Sequence, residues 1–169
     1  STLQNLSEIF NNRFFRIPDY QRGYAWKESQ LNDFWNDIYY LEIDKYHYTG
    51  LITVENITKE ETISSEKWED DLWLFDKGLK AYSVIDGQQR LLTIMILLKT
   101  ILERFSEDEE INYAAKSAWY DKYFFQKSEK HESFIFGYER DNPSNEYYKI
   151  KILDKPTIPT PLITETLYT

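Results

Sequence analysis

The segment Asp86-Gly87-Gln88-Gln89-Arg90 places the side chains that a phosphate site needs in consecutive positions. It follows an apolar, strand-like run and precedes an apolar, helix-like run, so we expect it to form the turn at the start of a helix. The unpaired N–H groups and the dipole of a helix start favour an anion, and a guanidinium binds phosphate through parallel hydrogen bonds. The residue types and their spacing therefore indicate an anion site, with Gly87 allowing the tight turn.

The carboxylate of Asp86 could have one of several roles at this turn. It could bind Mg²⁺, position a water molecule or cap the following helix. Asp-Gly is also a common turn sequence, and polar residues are common at helix starts, so an ordinary capped turn explains the same residues. Spacing alone fits both interpretations.

A second segment that mixes polar and aromatic side chains lies at residues 17–26, with the sequence IPDYQRGYAW. Gln21 and Arg22 follow Tyr20 there and add an amide and a guanidinium to a run rich in aromatic rings. Such a combination can stack on a base and bind a phosphate. The alternative is that the rings only fasten the loop to the core.

The elements that must position these two segments are predicted from hydrophobic periodicity. Helices are predicted over residues 1–14, 28–43, 91–105, 111–127 and 144–153. Strands are predicted over residues 48–57, 81–85 and 134–138, with extended chain at 14–18. We expect a hairpin turn at residues 76–78, between runs at 72–75 and 79–85, and a solvated loop over the acid-rich residues 58–71.

The composition is that of a globular domain and excludes several kinds of chemistry. The 169 residues carry 20 Lys and Arg against 29 Asp and Glu, a net charge of −9, and 41% of them are hydrophobic. The lack of Cys excludes thiolate metal sites and thiol nucleophiles, and neither a P-loop nor a GxGxxG motif occurs. The acidic balance argues against non-specific coating of DNA. Without an apolar run of membrane length or a signal pattern, we expect a cytoplasmic protein with no membrane contact.

Two motifs in this order resemble a known protein family. The segment IPDYQRGYAW and the segment VIDGQQRLLTIMILL at residues 84–98 resemble the N-terminal domain of GmrSD-type modification-dependent restriction enzymes, which the DGQQR motif marks. The resemblance covers about residues 5–105 and is weaker over residues 106–155. Leu92-Thr93 departs from the family pattern, in which Thr-Thr commonly follows the Leu.

The resemblance implies an α+β fold similar to the ParB and sulfiredoxin group. Residues 1–105 would form this domain, a small mixed sheet packed against helices, and we expect residues 106–169 to be a mainly helical extension truncated from a longer chain. In the family, the domain is linked to nucleoside triphosphate hydrolysis that licenses or drives DNA restriction. A separate C-terminal HNH nuclease domain, in the same or a partner chain, cuts the DNA. The acidic insertion at residues 58–77 has no assigned role.

The resemblance and the residue chemistry together predict one nucleotide site. The expected catalytic residues are Asp86, Gln89 and Arg90, with Asp86 also the Mg²⁺ ligand. The expected nucleotide-binding residues are Tyr20, Gln21, Arg22, Gly87 and Gln88. If the segments converge, Arg22 and Arg90 hold the phosphates. Gln21 and Gln89 then orient water or the ribose. The expected ligand is a nucleoside triphosphate with Mg²⁺. We expect residues 1–169 to have no nuclease activity.

Two other functions fit the same features. The cleft could recognise modified DNA without catalysis, with its aromatic rings stacking on a base. The aromatic surface could instead dock a partner protein. Binding to DNA weakens steeply as salt rises, whereas an apolar protein contact does not, so salt dependence distinguishes these two functions.

Overall fold

The computed structural model describes residues 2–21 and 23–149. Helices and strands are mixed along the chain, which confirms the predicted α+β class. In chain order the elements are α1 (Leu6–Ile9), β1 (Arg13–Ile17), α2 (Glu28–Tyr39), β2 (Thr53–Ile57), α3 (Lys59–Ser65), a 3₁₀ turn (Glu69–Asp71), α4 (Leu72–Asp76), β3 (Lys80–Asp86), α5 (Gln88–Leu102), β4 (Glu110–Ile111), β5 (Ala114–Ala115), α6 (Lys116–Tyr123), β6 (Phe125–Lys127), β7 (Glu132–Phe134), β8 (Phe136–Tyr138) and α7 (Ser144–Tyr147).

A small mixed sheet with the strand order β2-β3-β1-β8 forms the centre of the fold. Strand β1 pairs in parallel with both β3 and β8, whereas β2 pairs with β3 in the antiparallel direction. Phe14, Phe15 and Ile17 are all buried, because β1 is covered on both faces and so does not alternate between apolar and polar residues. Pro18, which lacks an N–H to donate, follows the last residue of the strand.

Helix α5 is the most apolar helix predicted from the sequence, and it lies in the core. Leu91 and Met95 are fully buried and belong to the same cluster as Phe14 and Phe15. The helix begins at Gln88, directly after the turn, instead of at residue 91 as predicted. None of the helices in the described ranges is both long and apolar enough to cross a membrane.

The helix expected over residues 28–43 ends at Tyr39 as α2, and two further elements are shortened by a residue with positive φ. The helix expected over residues 1–14 is only α1, since Asn12 at φ +51° turns the chain into β1. The strand expected over residues 48–57 is only β2, since Gly50 at φ +109° breaks the extended run. Residues 48–52 form a loop that packs against the start of α5.

The acid-rich segment expected to be a solvated loop contains structure. Thr58 and Glu61 form a capping box at the start of α3, in which the Thr58 side chain accepts from the Glu61 N–H. Trp68 follows and is buried in the core. Asp71 is paired with Arg16, whose guanidinium lies in the protein interior. This segment is therefore anchored to the sheet and is not a free insertion.

The hairpin expected around residues 76–78 is a helix followed by a strand. Leu74 of helix α4 is buried in the core, and Gly78 at φ +89° reverses the chain into β3. An apolar run of this length fits a strand or one helical turn, so periodicity could not separate them. The strand predicted over residues 81–85 is confirmed within β3.

The region after Phe105 differs most from expectation. The described part of the extension is mixed, not mainly helical: the helix predicted over residues 111–127 is the hairpin of β4 and β5, then α6 and β6. The strand predicted over residues 134–138 contains the end of β7 and all of β8. Strand β8 joins the central sheet beside β1, so the sheet includes residues beyond 105. The helix predicted over residues 144–153 is seen as α7, and its part from residue 150 onward lies outside the described residues.

Candidate functional site

The two segments singled out in the sequence meet in a cleft at the start of α5. The cleft has a volume of about 330 Å³. Gln21 and Trp26 line it from the first segment, and residues 85–90 line it from the second. The two segments therefore converge through Gln21 and Trp26 on one side and residues 85–90 on the other. Arg22, the expected phosphate-binding residue of the first segment, lies outside them.

The turn before α5 requires Gly87 for two reasons. Its φ is +85°, a conformation that residues with a side chain rarely adopt. A Cβ atom there would lie 2.9 Å from the carbonyl oxygen of Leu51. Asp86 completes the turn, because its Oδ1 accepts a hydrogen bond of 2.8 Å from the Gly87 N–H. The Asp-Gly pair thus fixes the direction in which α5 leaves the strand.

The N-terminus of α5 opens into the cleft. Among the described residues no side chain caps this helix, and its first intrahelical bond runs from Leu91 N to the Gly87 carbonyl over 3.0 Å. Asp86 bonds to the turn and does not act as a helix cap. Residues 88–90 line the cleft, so the backbone N–H groups of the first turn and the positive end of the helix dipole lie at its wall.

Gln89 joins the two segments. Its Oε1 accepts from the Ala25 N–H at 2.8 Å, and its Nε2 donates to the Gly23 carbonyl at 3.0 Å. Both ends of the amide are therefore used to hold the loop of the first segment against α5. These two bonds position the loop, and the expected role of Gln89 in orienting water or ribose stays a prediction.

Arg90 lies across the loop that precedes β2. Its Nη1 donates to the Leu51 carbonyl over 3.2 Å, which uses one of the five N–H groups of a guanidinium. A Cβ atom on Gly50 would lie 2.6 Å from Arg90 Cζ, so the guanidinium fits there only because residue 50 has no side chain. Gly50 and Leu51 are therefore parts of the site. The sequence signal for them was a glycine inside a run of strand-forming residues.

Gln21 is placed at the cleft, whereas Tyr20 is not. The Nε2 of Gln21 donates to the Ile85 carbonyl at 3.3 Å, which leaves its Oε1 as an acceptor on the same amide. The side chain of Tyr20 is 72% exposed and does not line the cleft. Gln88 lines the cleft from the first position of α5.

Asn142 holds the first segment in place from the far end of the chain. Its Nδ2 donates to the carbonyl of Pro18 at 2.7 Å and to that of Gln21 at 3.2 Å. The residue is only 3% exposed, and its Oδ1 accepts from Ser144 N. The sequence around Asn142 gives no indication of this contact, which joins it to residues more than a hundred positions earlier.

A short chain of hydroxyl groups connects the first segment with α5. The hydroxyl of Tyr24 lies 2.8 Å from Thr93 Oγ1, and Thr93 Oγ1 donates to the Gln89 carbonyl at 2.8 Å. Since Thr93 gives its only proton to Gln89, Tyr24 is the donor in the first of these bonds. Burial raises the pKa of the Tyr24 phenol above 10.0, which keeps it protonated as a donor at neutral pH.

The cleft offers a metal ion a single carboxylate. In the described ranges no group of three or more His, Cys, Asp or Glu side chains could hold a metal. Asp86 is exposed at the cleft and uses one carboxylate oxygen within the turn. Mg²⁺ is commonly held by one or two carboxylates together with phosphate oxygens and water, so Asp86 fits a Mg²⁺ ion that arrives with a nucleotide.

The chain matches a model of a known protein family. The family model described as GmrSD restriction endonuclease, N-terminal domain, matches residues 6–162, which include both motif segments, the whole sheet and Asn142. No individual curated protein matches the chain. The matched range extends well beyond residue 105, in agreement with the position of β8 in the sheet.

Proposed function

This chain belongs to the family of GmrSD restriction endonuclease N-terminal domains, and thus to a restriction system, and we propose that it binds and hydrolyses a nucleoside triphosphate there. The observation that carries the proposal is the cleft at the uncapped start of α5, where Arg90 and Gln21 converge. In this proposal, hydrolysis regulates DNA cleavage, which is carried out by a nuclease domain outside residues 1–169.

The phosphates would bind at the N-terminus of α5. Backbone N–H groups of the first turn and the guanidinium of Arg90 supply donors and positive charge at one point. Asp86 would hold Mg²⁺ together with phosphate oxygens and water, and the ion would supply charge neutralisation of the phosphates. The glycines at positions 50 and 87 let backbone and guanidinium approach this point closely.

Gln21 is the residue best placed to orient the attacking water. Hydrolysis of a phosphoryl group depends on positioning the nucleophile in line and on stabilising charge. Both the oxygen and the nitrogen of the Gln89 amide form hydrogen bonds to the loop, whereas only the Nε2 of the Gln21 amide forms one among the described residues. We therefore assign the water-orienting role to Gln21 and the loop-positioning role to Gln89.

Thermal unfolding with ATP, GTP, CTP or UTP, each with and without Mg²⁺, tests binding. At a hundredfold excess over Kd, linkage gives about 2.7 kcal/mol, a rise in Tm of roughly 5–10 °C for a domain of this size. We expect a Mg²⁺-dependent rise that is lost in Arg90→Ala and kept in Arg104→Ala, which removes an exposed guanidinium just after α5. The absence of a rise with every nucleotide would contradict the proposal and favour recognition of modified DNA without catalysis.

Release of inorganic phosphate tests hydrolysis separately. The Gln21→Ala variant should keep nucleotide binding and lose most of kcat, since its role is in positioning the water. Unchanged turnover in Gln21→Ala would contradict the water-orienting role of Gln21 but not the proposed nucleotide-binding site.

A second candidate function, docking of a partner protein, is favoured by α2. This helix buries only Phe34 and leaves Trp35 and Tyr39 exposed and stacked with ring centroids 5.8 Å apart. Tyr40 adds an edge contact to Tyr39 at 5.1 Å. Exposed clustered aromatic rings are typical of protein interfaces. Replacement of Trp35 and Tyr39 by Ser should leave nucleotide binding unchanged and weaken association with the rest of the restriction system, measured by co-purification.

A further inference from the structure

A second cavity, also of about 330 Å³, lies between the first segment, α2, α5 and the chain after β8. It shares no described lining residue with the cleft. Its walls include the side chains of four tyrosines, and we call it the tyrosine pocket: Tyr24, Tyr138, Tyr147 and Tyr148. Its volume lies at the lower end of the range for small-molecule sites.

The lining of the tyrosine pocket selects an uncharged ligand. Besides the tyrosines, its main apolar contacts come from Leu92 and Ile96 of α5, and none of its described lining residues carries a formal charge. A charged group placed there would lose its hydration without an ionic partner, which is costly. Aromatic walls also favour flat rings, which stack or make edge contacts with them.

Two hydroxyl groups at the wall of the pocket leave hydrogen-bonding capacity. The Oγ of Ser144 is buried and has no hydrogen-bond partner within the described part of the chain. Buried hydroxyls nearly always have a partner, because an unsatisfied one costs free energy. Tyr24 donates its own proton to Thr93, so its oxygen can still accept a hydrogen bond from a ligand.

We propose that the tyrosine pocket binds an uncharged planar heteroaromatic ring of the nucleobase class. The tyrosine rings contact its faces or edges, Tyr24 accepts from a ring N–H or amino group, and Ser144 bonds to a polar ring atom. The inference stands on this pocket alone and does not depend on phosphate binding or hydrolysis at the cleft.

The test uses phosphate-free nucleosides, so the cleft does not contribute to binding. Adenosine, guanosine, cytidine and thymidine are added at millimolar concentration, and contacts with the protein are followed by saturation-transfer NMR. Ile96→Phe fills the pocket from α5, and Ile101→Phe makes the same change on an exposed part of that helix. We expect at least one nucleoside to bind the natural chain and Ile101→Phe, with binding at least tenfold weaker in Ile96→Phe.

Ser144→Ala gives a second, independent readout. Because its hydroxyl has no partner, its removal should leave the Tm unchanged or higher, unlike the loss of a bonded buried hydroxyl. Nucleoside binding should weaken by about tenfold, as expected when one ligand hydrogen bond to a buried group is lost. A lower Tm with unchanged nucleoside binding would show that Ser144 is structural and would count against the proposal.

A short single-stranded DNA distinguishes a free nucleoside from a base within a strand. DNA binding that is lost in Ile96→Phe and kept in Ile101→Phe, without nucleoside binding, assigns the pocket to a base presented by a strand. If neither ligand binds, or if both variants bind equally well, the proposal is overturned. A triphosphate effect that depends on Arg90 but not on Ile96 would leave the proposed function standing while the pocket proposal fails.

Discussion

Gln89 and Arg90 are neighbours in the chain, but they hold two different segments against the same turn. Gln89 bonds to the loop at residues 23–25, and Arg90 bonds to the loop at residues 50–51. The turn is therefore supported from two sides by side chains that a motif alone would assign to a ligand. Of the two, only Arg90 keeps several N–H donors for an anion. Replacement of Arg90 should therefore weaken anion binding directly, whereas replacement of Gln89 should release the loop at residues 23–25.

Gly50→Ala tests the support of Arg90, and Gly78→Ala is its matched control. Both glycines have positive φ, +109° and +89°, so either alanine should cost about 1–3 kcal/mol of stability by backbone strain. Only at Gly50 would the new Cβ meet the Arg90 guanidinium, because nothing lies within 4 Å of the position at Gly78. We expect similar losses in urea denaturation, but a shifted NMR signal of the Arg90 Nε–H in Gly50→Ala alone.

The outcome that would contradict this prediction is an Arg90 signal that stays in place in Gly50→Ala. Weaker nucleotide binding in Gly50→Ala than in Gly78→Ala would further connect the position of the guanidinium to the proposed function. Equal nucleotide binding in both variants would show that the position of the Arg90 guanidinium does not affect binding.

Glu139 should make the stability of the protein depend on pH. Burial raises the pKa of its carboxyl above 4.5, although Lys67, with its Nζ 3.7 Å from Oε2, lowers it. The folded protein thus holds this proton more tightly than the unfolded chain does. The stability from this group is complete below pH 4.5 and is lost as pH rises through the folded pKa.

Glu139→Gln removes this titration, so the variant should gain stability relative to the natural chain as pH rises above 4.5. The free energies of unfolding of both proteins are compared across pH by urea denaturation. Glu129→Gln, at an exposed position, controls for the loss of one negative charge. A relative loss of stability with rising pH would mean that the attraction of Lys67 outweighs burial.

At the scale of elements, the acidic segment after β2 is attached to the sheet by an ion pair. Arg16 Nη2 lies 2.8 Å from Asp71 Oδ1, and Arg16 Nε donates to Asp71 Oδ2 at 3.1 Å. The two side chains are 5% and 15% exposed. The pair thereby fixes the 3₁₀ turn and α4 beside β1, which carries the first segment to the cleft.

Asp71→Asn should destabilise the protein by about 3 kcal/mol, because it leaves the buried Arg16 without a countercharge. Lys59→Ala breaks an ion pair with Asp76 of the same 2.8 Å length at an exposed position. That change should cost less than about 1 kcal/mol, since solvent screens the pair. Urea denaturation of both variants measures the contrast, and equal losses would show that burial does not set the energy of the Arg16 pair.

The elements nearest the site were predictable because their signals are local. The run from Ala81 through Leu98 shows a strand, a glycine turn and an apolar helix in order, and the structure has all three. Helix α3 was also marked, by the Thr58 and Glu61 capping box, but the density of acidic residues favoured a loop. Contacts between segments were not predictable: nothing in the sequence pairs Gln89 with Gly23 or Asn142 with Pro18.

At the scale of the whole molecule, the chain after residue 105 completes the core. Strand β8 pairs with β1, and Phe15 N donates to the Ile135 carbonyl at 2.7 Å. Phe124, Ile135 and Phe136 are almost completely buried in the same cluster as Phe14 and Phe15. The domain boundary expected at residue 105 stays a prediction, and these contacts count against it.

Truncation to residues 1–105 tests that boundary directly. The shortened chain lacks the strand that covers the outer edge of β1 and lacks Asn142, so both the core and the first segment lose support. Removing several large buried side chains at a few kcal/mol each exceeds the total stability of about 5–15 kcal/mol of an ordinary domain. We therefore expect residues 1–105 to show no cooperative unfolding and poor NMR dispersion, whereas residues 1–162 show both cooperative unfolding and good dispersion. A cooperatively folded 1–105 fragment would restore the boundary and make β8 an addition to a sheet that is stable without it.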